Sequence, residues 1–212
     1  MKFIPSILLF FFLLSFSSCS TKTVEPELPD ANPPAPVIPE EPIPEKEKML
    51  WFDAEANFER FSKKENITYY LDLAKSTGFN KIVVDVRPVQ GDALFKSSYL
   101  TPLTDLAGIH IERDWDYLQF FIDEAHKREL KVTVSTTIFT AGLPSSKNGM
   151  AYRDDTWNGK TCLEYTKDQG LIDIKNDKTK VSAFLNPVLP EVQDFCLNFM
   201  KELVTNYDFD GF

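Results

Sequence analysis

The stretch KIVVDVRPVQGDALF, Lys81 to Phe95, decides how the rest of the chain is read. It follows Gly78 and opens on a run rich in Val and Ile, which Pro88 closes. A run this short, apolar and β-branched predicts a buried strand over Lys81–Arg87, parallel to its neighbours. Side chains alternate along a strand, so Val84 and Val86 share one face, and Val83, Asp85 and Arg87 the other. An acid and a base in an apolar strand are costly unless they pair or face a polar cavity. Two readings stay open: a buried Asp85–Arg87 pair, or the polar floor of a site. Gln90 and Asp92 come next on a polar loop, where an α/β protein places functional groups.

Working outward, MLWFDA at Met49–Ala54 predicts a first strand, with Asp53, Glu55 and Asn57 at its end. Asn66 can cap a helix from Ile67, in which Tyr70, Leu71 and Ala74 recur at helical spacing. Gly78 suits the position just past that helix. After the long loop, Asp114 is a good N-cap for a helix striped by Trp115, Leu118, Phe121, Ile122 and Ala125. Leu130–Phe139 predicts a third strand, rich in β-branched residues. Ala141–Val181 is long and polar, a length unusual for a loop unless functional. Leu171–Ile174 and Val181–Leu185 are candidate extended pieces within it. Pro190 suits the start of a last helix, whose Val192, Phe195, Cys196, Phe199, Leu203 and Tyr207 mark a buried face. Asp208–Phe212 begins a fourth strand.

Alternating strands and helices argue for an α/β fold with parallel strands. An open doubly wound sheet and a (β/α)8 TIM barrel both fit. No glycine-rich phosphate loop comes after the first or second strand, which weakens the nucleotide-binding version. A barrel takes about 250 residues. Residues 49–212 hold about four parallel strands and three helices, so the expectation is a truncated barrel, its N-terminal half.

The 212 residues carry a net charge of −9, with Lys and Arg scattered, which argues against a nucleic-acid partner. Three Cys and two His show no zinc-like spacing, and neither a metal nor a cofactor is expected. Met1–Ser18 has one Lys and an apolar run too short to span a bilayer, as in a signal peptide. Phe16-Ser17-Ser18-Cys19 resembles a bacterial lipobox. Acylated Cys19 would then join a lipid bilayer at the cell envelope, on the periplasmic or surface face of the outer membrane. Residues 19–48 lack hydrophobic periodicity. Eight of the 14 prolines fall between Pro26 and Pro44, mixed with Glu. This composition predicts a disordered, extended tether.

Five blocks, in order, carry a likeness to a known family. They are NITYYLDLAKSTGFN at 66–80, VVDVRPVQGDALFKSSY at 83–99, DEAHKRELKV at 123–132, FLNPVLPEVQDF at 184–195 and ELVTNYDFDGF at 202–212. Together they resemble the glycosyl-hydrolase-like family 10 proteins. The resemblance implies a bacterial (β/α)8 barrel, often a lipoprotein, linked to hydrolysis of glycans including peptidoglycan. It also implies an acidic motif just past Phe212. Two departures stand out. STTIFTAG at 135–142 replaces a Trp-x-Asn-like motif that ends the third strand in many members. Glu129 replaces the glycine after His-Lys-Arg, a change in turn chemistry.

Glycoside hydrolysis usually uses two carboxyl groups, one of them held protonated. In a barrel these sit at the C-terminal ends of strands. Asp53, Arg87, Asp92 and Asn186 are the candidate substrate-binding residues. Asn186 is equally suited to capping the last helix. Asp85 is read as a supporting residue that orients Arg87, and the catalytic acid is expected beyond Phe212. The leading function is a membrane-anchored glycoside hydrolase acting on extracytoplasmic glycan. The alternative is a non-catalytic carbohydrate-binding lipoprotein that kept the barrel. A metal-dependent hydrolase is disfavoured, because no His or Asp cluster comes after the first strand.

Overall fold

A computed structural model of the chain describes residues 46–212. The signal peptide, the acylation of Cys19 and nearly all of the tether lie outside the described residues. The elements run in order β1 (Met49–Phe52), α1 (Lys64–Ser76), β2 (Lys81–Arg87), β3 (Asp105–Leu106), β4 (Ile109–His110), α2 (Tyr117–His126) and β5 (Lys131–Thr136). Then come α3 (Met150–Arg153), β6 (Leu163–Thr166), β7 (Gly170–Asp173) and α4 (Pro190–Asn206). This is an α/β fold around a parallel three-stranded sheet of order β1–β2–β5. Residues 210–211 continue the order. Gly211 bridges Thr133 in parallel, and Val134 N–H donates to Gly211 O at 2.9 Å.

Alternation sorts the sheet into two faces. Phe52, Ile82, Val84, Val132 and Val134 are buried, and they pack beneath the apolar stripes of α1 (Ile67, Leu71, Ala74) and α2 (Leu118, Phe121, Ile122, Ala125). Phe52 meets Phe61 and Phe121 with ring centroids 5.1 Å apart in both cases, a geometry that adds to the gain from burial. On the other face, Trp51 is 61% exposed and Asp85, Thr133 and Ser135 are half-buried. Among the described residues, helices thus cover one side of the sheet only.

Several element boundaries differ from those expected from the sequence. α1 begins at Lys64, and Asn66 instead donates from Nδ2 to Arg60 O at 2.8 Å. Asp116, not Asp114, caps α2, accepting from Gln119 N–H at 3.1 Å. β5 stops at Thr136, three residues short of the predicted end. Lys46–Lys48, within the expected tether, are bound to the fold: Lys48 N–H donates to Asn80 Oδ1 at 2.8 Å, and Glu47 pairs with Lys81 at 3.2 Å. Gly78 sits at φ +86° just after α1, the left-handed conformation expected of it. Glu129 also adopts φ +54° after α2, so an L-residue occupies a glycine-like turn. Pro190 opens α4, whose Val192, Cys196, Phe199 and Leu203 are buried. Cys162 and Cys196 are both free thiols.

The long segment after β5 is ordered around backbone pairing. Ala141 N–H donates to Ala183 O at 2.8 Å, and Leu185 N–H to Phe139 O at 2.8 Å. Residues 183–185 are therefore extended, as expected. The hairpin within the segment pairs Leu163–Thr166 with Gly170–Asp173. Only its second strand is apparent from the sequence.

Candidate functional site

The carboxyl edge of the sheet gathers Asp53 and Glu55 after β1 with Asp85 near the end of β2. Asp53 Oδ1 accepts from the N–H groups of Glu55 (2.8 Å) and Ala56 (3.0 Å), which ties the turn beyond β1. Glu55 Oε1 accepts from Val89 N–H at 2.8 Å, which ties that turn to the loop after β2. Asp85 is half-buried and close enough to feel both charges. Burial raises its pKa to about 6, and the negative charges of Asp53 and Glu55 add to the rise. The backbone N–H groups of Arg87 and Ala54 offset part of it. Asp85 is the one carboxyl group among the described residues whose proton affinity is clearly raised.

Arg87 does not share this face. The strand pairing slips between Asp85 and Arg87, so that Asp85 opposes Ser135 and Arg87 opposes Thr136. An extra residue in one strand re-aims the side chains beyond it. The Arg87 guanidinium is completely buried. It donates from Nη1 to the carbonyl of Thr137 and, at 3.2 Å, to that of Ile138, and from Nη2 to Thr140 O at 2.6 Å. It also lies 5.1 Å from the centroid of the Phe199 ring. Burial lowers its pKa to about 10, with Cys196 and Asp92 acting in the opposite direction. Neither the Asp85–Arg87 pair nor an Asp85 that orients Arg87 is found. Arg87 instead clamps the start of the post-β5 segment to the end of β2.

Asp92 is also buried, at 2% exposure, and its carboxylate is fully engaged. Gln90 Nε2 donates to it at 2.8 Å, and Arg153 from α3 binds both of its oxygens, one at 2.8 Å. Such a bidentate pair fixes both partners in one plane. Asn186 lies elsewhere: its Oδ1 accepts from Val188 N–H at 3.1 Å, closing a turn before α4. The N-cap of α4 is Leu189, so Asn186 does not cap the helix itself. Of the four substrate-binding candidates, only Asp53 joins Asp85 at the strand ends. Arg153, the partner of Asp92, is not among the residues that spacing singles out. The signal available is that its long loop carries aromatic and charged residues together, Tyr152-Arg153 and Trp157.

Below the sheet, Asp210 accepts from Val132 N–H at 2.8 Å and pairs with His126 at 3.0 Å. Burial works to raise the Asp210 pKa, but the Val132 N–H and His126 outweigh it and hold the carboxyl low. Both residues fasten the fourth strand position to α2 and β5.

The same strands, loops and helices fall within one known family. The model of the family described as glycosyl hydrolase-like 10 matches residues 47–212. The chain belongs to the glycosyl hydrolase-like 10 family. This member is 33% identical over 174 residues to an S-layer-related protein of Niallia circulans, covering 78% of this chain and 11% of that protein. It is 30% identical over 143 residues to the glycosyl hydrolase DigH of Escherichia coli K12, covering 66% of this chain and 31% of that protein. The chain thus spans a tenth to a third of the length of these curated relatives. Among solved structures, an Anoxybacillus α-amylase superposes with a TM-score of 0.49 at 16% identity, over 77% of this chain and 39% of that one. The family match begins at Glu47, within the residues that bind Asn80 and Lys81.

Proposed function

We propose that this glycosyl hydrolase-like 10 chain belongs to a membrane-anchored glycoside hydrolase that acts on extracytoplasmic glycan, a polysaccharide or peptidoglycan. The observation that carries the reading is Asp85, a half-buried carboxyl group with a pKa of about 6 beside Asp53 and Glu55 at the carboxyl edge of a parallel sheet. Protonation of a glycosidic oxygen needs an acid that keeps its proton close to working pH. Asp85 meets that need, and Asp53 and Glu55 are the candidates for the second carboxylate. This assigns to Asp85 the proton-donor role that the family resemblance places past Phe212.

The arrangement also supports a (β/α)8 barrel. A doubly wound sheet reverses its strand order and carries helices on both faces. Here the strands keep chain order, and among the described residues one face lacks helices. Anchoring through acylated Cys19, at the periplasmic or surface face of the outer membrane, rests on Phe16-Ser17-Ser18-Cys19 behind an apolar run. Loss of palmitate labelling in Cys19→Ala tests it.

The test of function is release of reducing ends from solubilised glycan strands and from a polysaccharide panel. Hydrolysis is expected to fall as pH rises through 6, and Asp85→Asn is expected to lower it by about 100-fold or more. Binding of the same glycans without cleavage would instead mark a carbohydrate-binding protein.

A further inference from the structure

A cavity of about 270 Å³ opens between the loop after β2, the turn around α3 and the first half of α4. It shares no lining residue with the acids at the strand ends. We infer that it is a second carbohydrate-binding pocket, one that takes a single neutral pyranose ring. The inference rests on the glycan reading above and adds a separate recognition site to it.

Three features carry the assignment. First, the cavity has both kinds of wall that a sugar ring needs. Trp157 and Phe195 form an apolar side, with ring centroids 4.7 Å apart and planes crossing at 68°. The lining also includes polar groups, the Asp92–Arg153 pair, Asp154, Thr156 and Tyr99, beside the apolar Leu100 and Met150. The C–H face of a pyranose packs on an aromatic side chain while its hydroxyl groups bond to fixed donors and acceptors.

Second, the polar wall is organised before any ligand arrives. Arg153 holds both oxygens of Asp92, and Gln90 donates to the same carboxylate. The two loops that carry these residues interlock through glycines. A Cβ on Gly91 would stand 2.6 Å from Thr140 O, and one on Gly149 would stand 2.7 Å from Gln90 O. Both glycines have positive φ, +86° and +104°. Side chains held this way lose little freedom on binding.

Third, size and charge narrow the ligand. The volume lies just under the roughly 300–1,000 Å³ of drug-sized sites, which suits one ring rather than a chain. Arg153 is neutralised by Asp92, and Asp154 remains, so the lining residues themselves carry no net positive charge; Lys160, whose Nζ lies 5.6 Å from the Trp157 ring centroid, is outside the lining.

The inference is tested on the whole chain by titrating maltotetraose, cellotetraose, chitotetraose and a tetragalacturonate, with tryptophan fluorescence and calorimetry as readouts. At least one neutral oligosaccharide is expected to bind. Trp157→Ala is expected to weaken that binding tenfold or more, Trp157→Phe to restore most of it, and Asp85→Asn to leave it within twofold. The acidic oligomer is expected to bind at least tenfold more weakly. Binding that survives Trp157→Ala but is lost in Asp85→Asn would overturn the pocket while leaving the strand-end site in place. Failure of all the neutral probes to bind, or preference for the acidic one, would overturn it as well.

Discussion

Asp85 and Arg87 stand two residues apart on β2, yet their charged groups do not meet. The carboxyl stays with Asp53 and Glu55 at the strand ends, and the guanidinium is buried against Thr137–Thr140 and Phe199. A one-residue slip in the strand pairing separates them. The acid is thereby left without a cation to lower its pKa, and the base is held by backbone carbonyl groups rather than by the Asp85 carboxylate.

The raised pKa of Asp85 has a consequence for stability. Its folded value of about 6 exceeds the unfolded value near 4, so the folded chain binds the extra proton between those pH values. The stabilisation this gives is complete below the unfolded pKa and is lost as pH rises through the folded one. Asp85→Asn should therefore match the parent at pH 4 and exceed it by about 1–2 kcal/mol at pH 8, allowing for partial solvent access. Urea unfolding at the two pH values checks this, and equal differences at both would count against it.

Arg87 illustrates a buried cation held by carbonyl groups. Lysine keeps the charge but cannot reproduce the planar fork. Arg87→Lys should cost about 2–4 kcal/mol, because buried acceptors at Thr137, Ile138 and Thr140 lose their donors. A shift of the urea midpoint reports the loss. Stability within roughly 0.5 kcal/mol of the parent, the scatter of a neutral surface change, would refute the clamp.

The Asp92–Arg153 pair ties α3 to the loop after β2. Asp92→Asn leaves the Arg153 charge without its partner and should destabilise the chain by about 1–3 kcal/mol. Hydrogen exchange should accelerate first across residues 150–157. If exchange there is unchanged, Asp92 does not hold the segment.

Glu129 bears strain that glycine would relieve. Its φ of +54° places an L-residue in the left-handed region, and its ion pair with Lys75, at 3.4 Å, is too exposed to add much. Glu129→Gly should raise stability by about 0.5–1 kcal/mol, read as a higher melting temperature. A lower one would argue against the strain.

The sheet is legible in the sequence because its signal is local. β-branched runs mark β2 and β5, and apolar stripes at helical spacing mark the buried faces of α2 and α4. The glycine-like turn at Glu129 is legible through the family pattern. The site is less so. Period two puts Asp85 and Arg87 on one face, and nothing in VVDVR announces the slip that parts them. The pairing of Asp92 is not legible either, because its partner, Arg153, lies 61 residues away in a loop with no regular period. Long-range pairing of this kind leaves no trace in local spacing.

The most direct measurement is a carbon-13 NMR titration of the Asp85 carboxyl group in the parent chain and in Asp53→Asn/Glu55→Gln. A midpoint of about 6 in the parent that falls in the double variant is expected from an acid set among other acids at the strand ends. A midpoint near the ordinary carboxylate value of about 4 in both proteins would contradict the proposed proton donor and the glycan-cleaving site built on it.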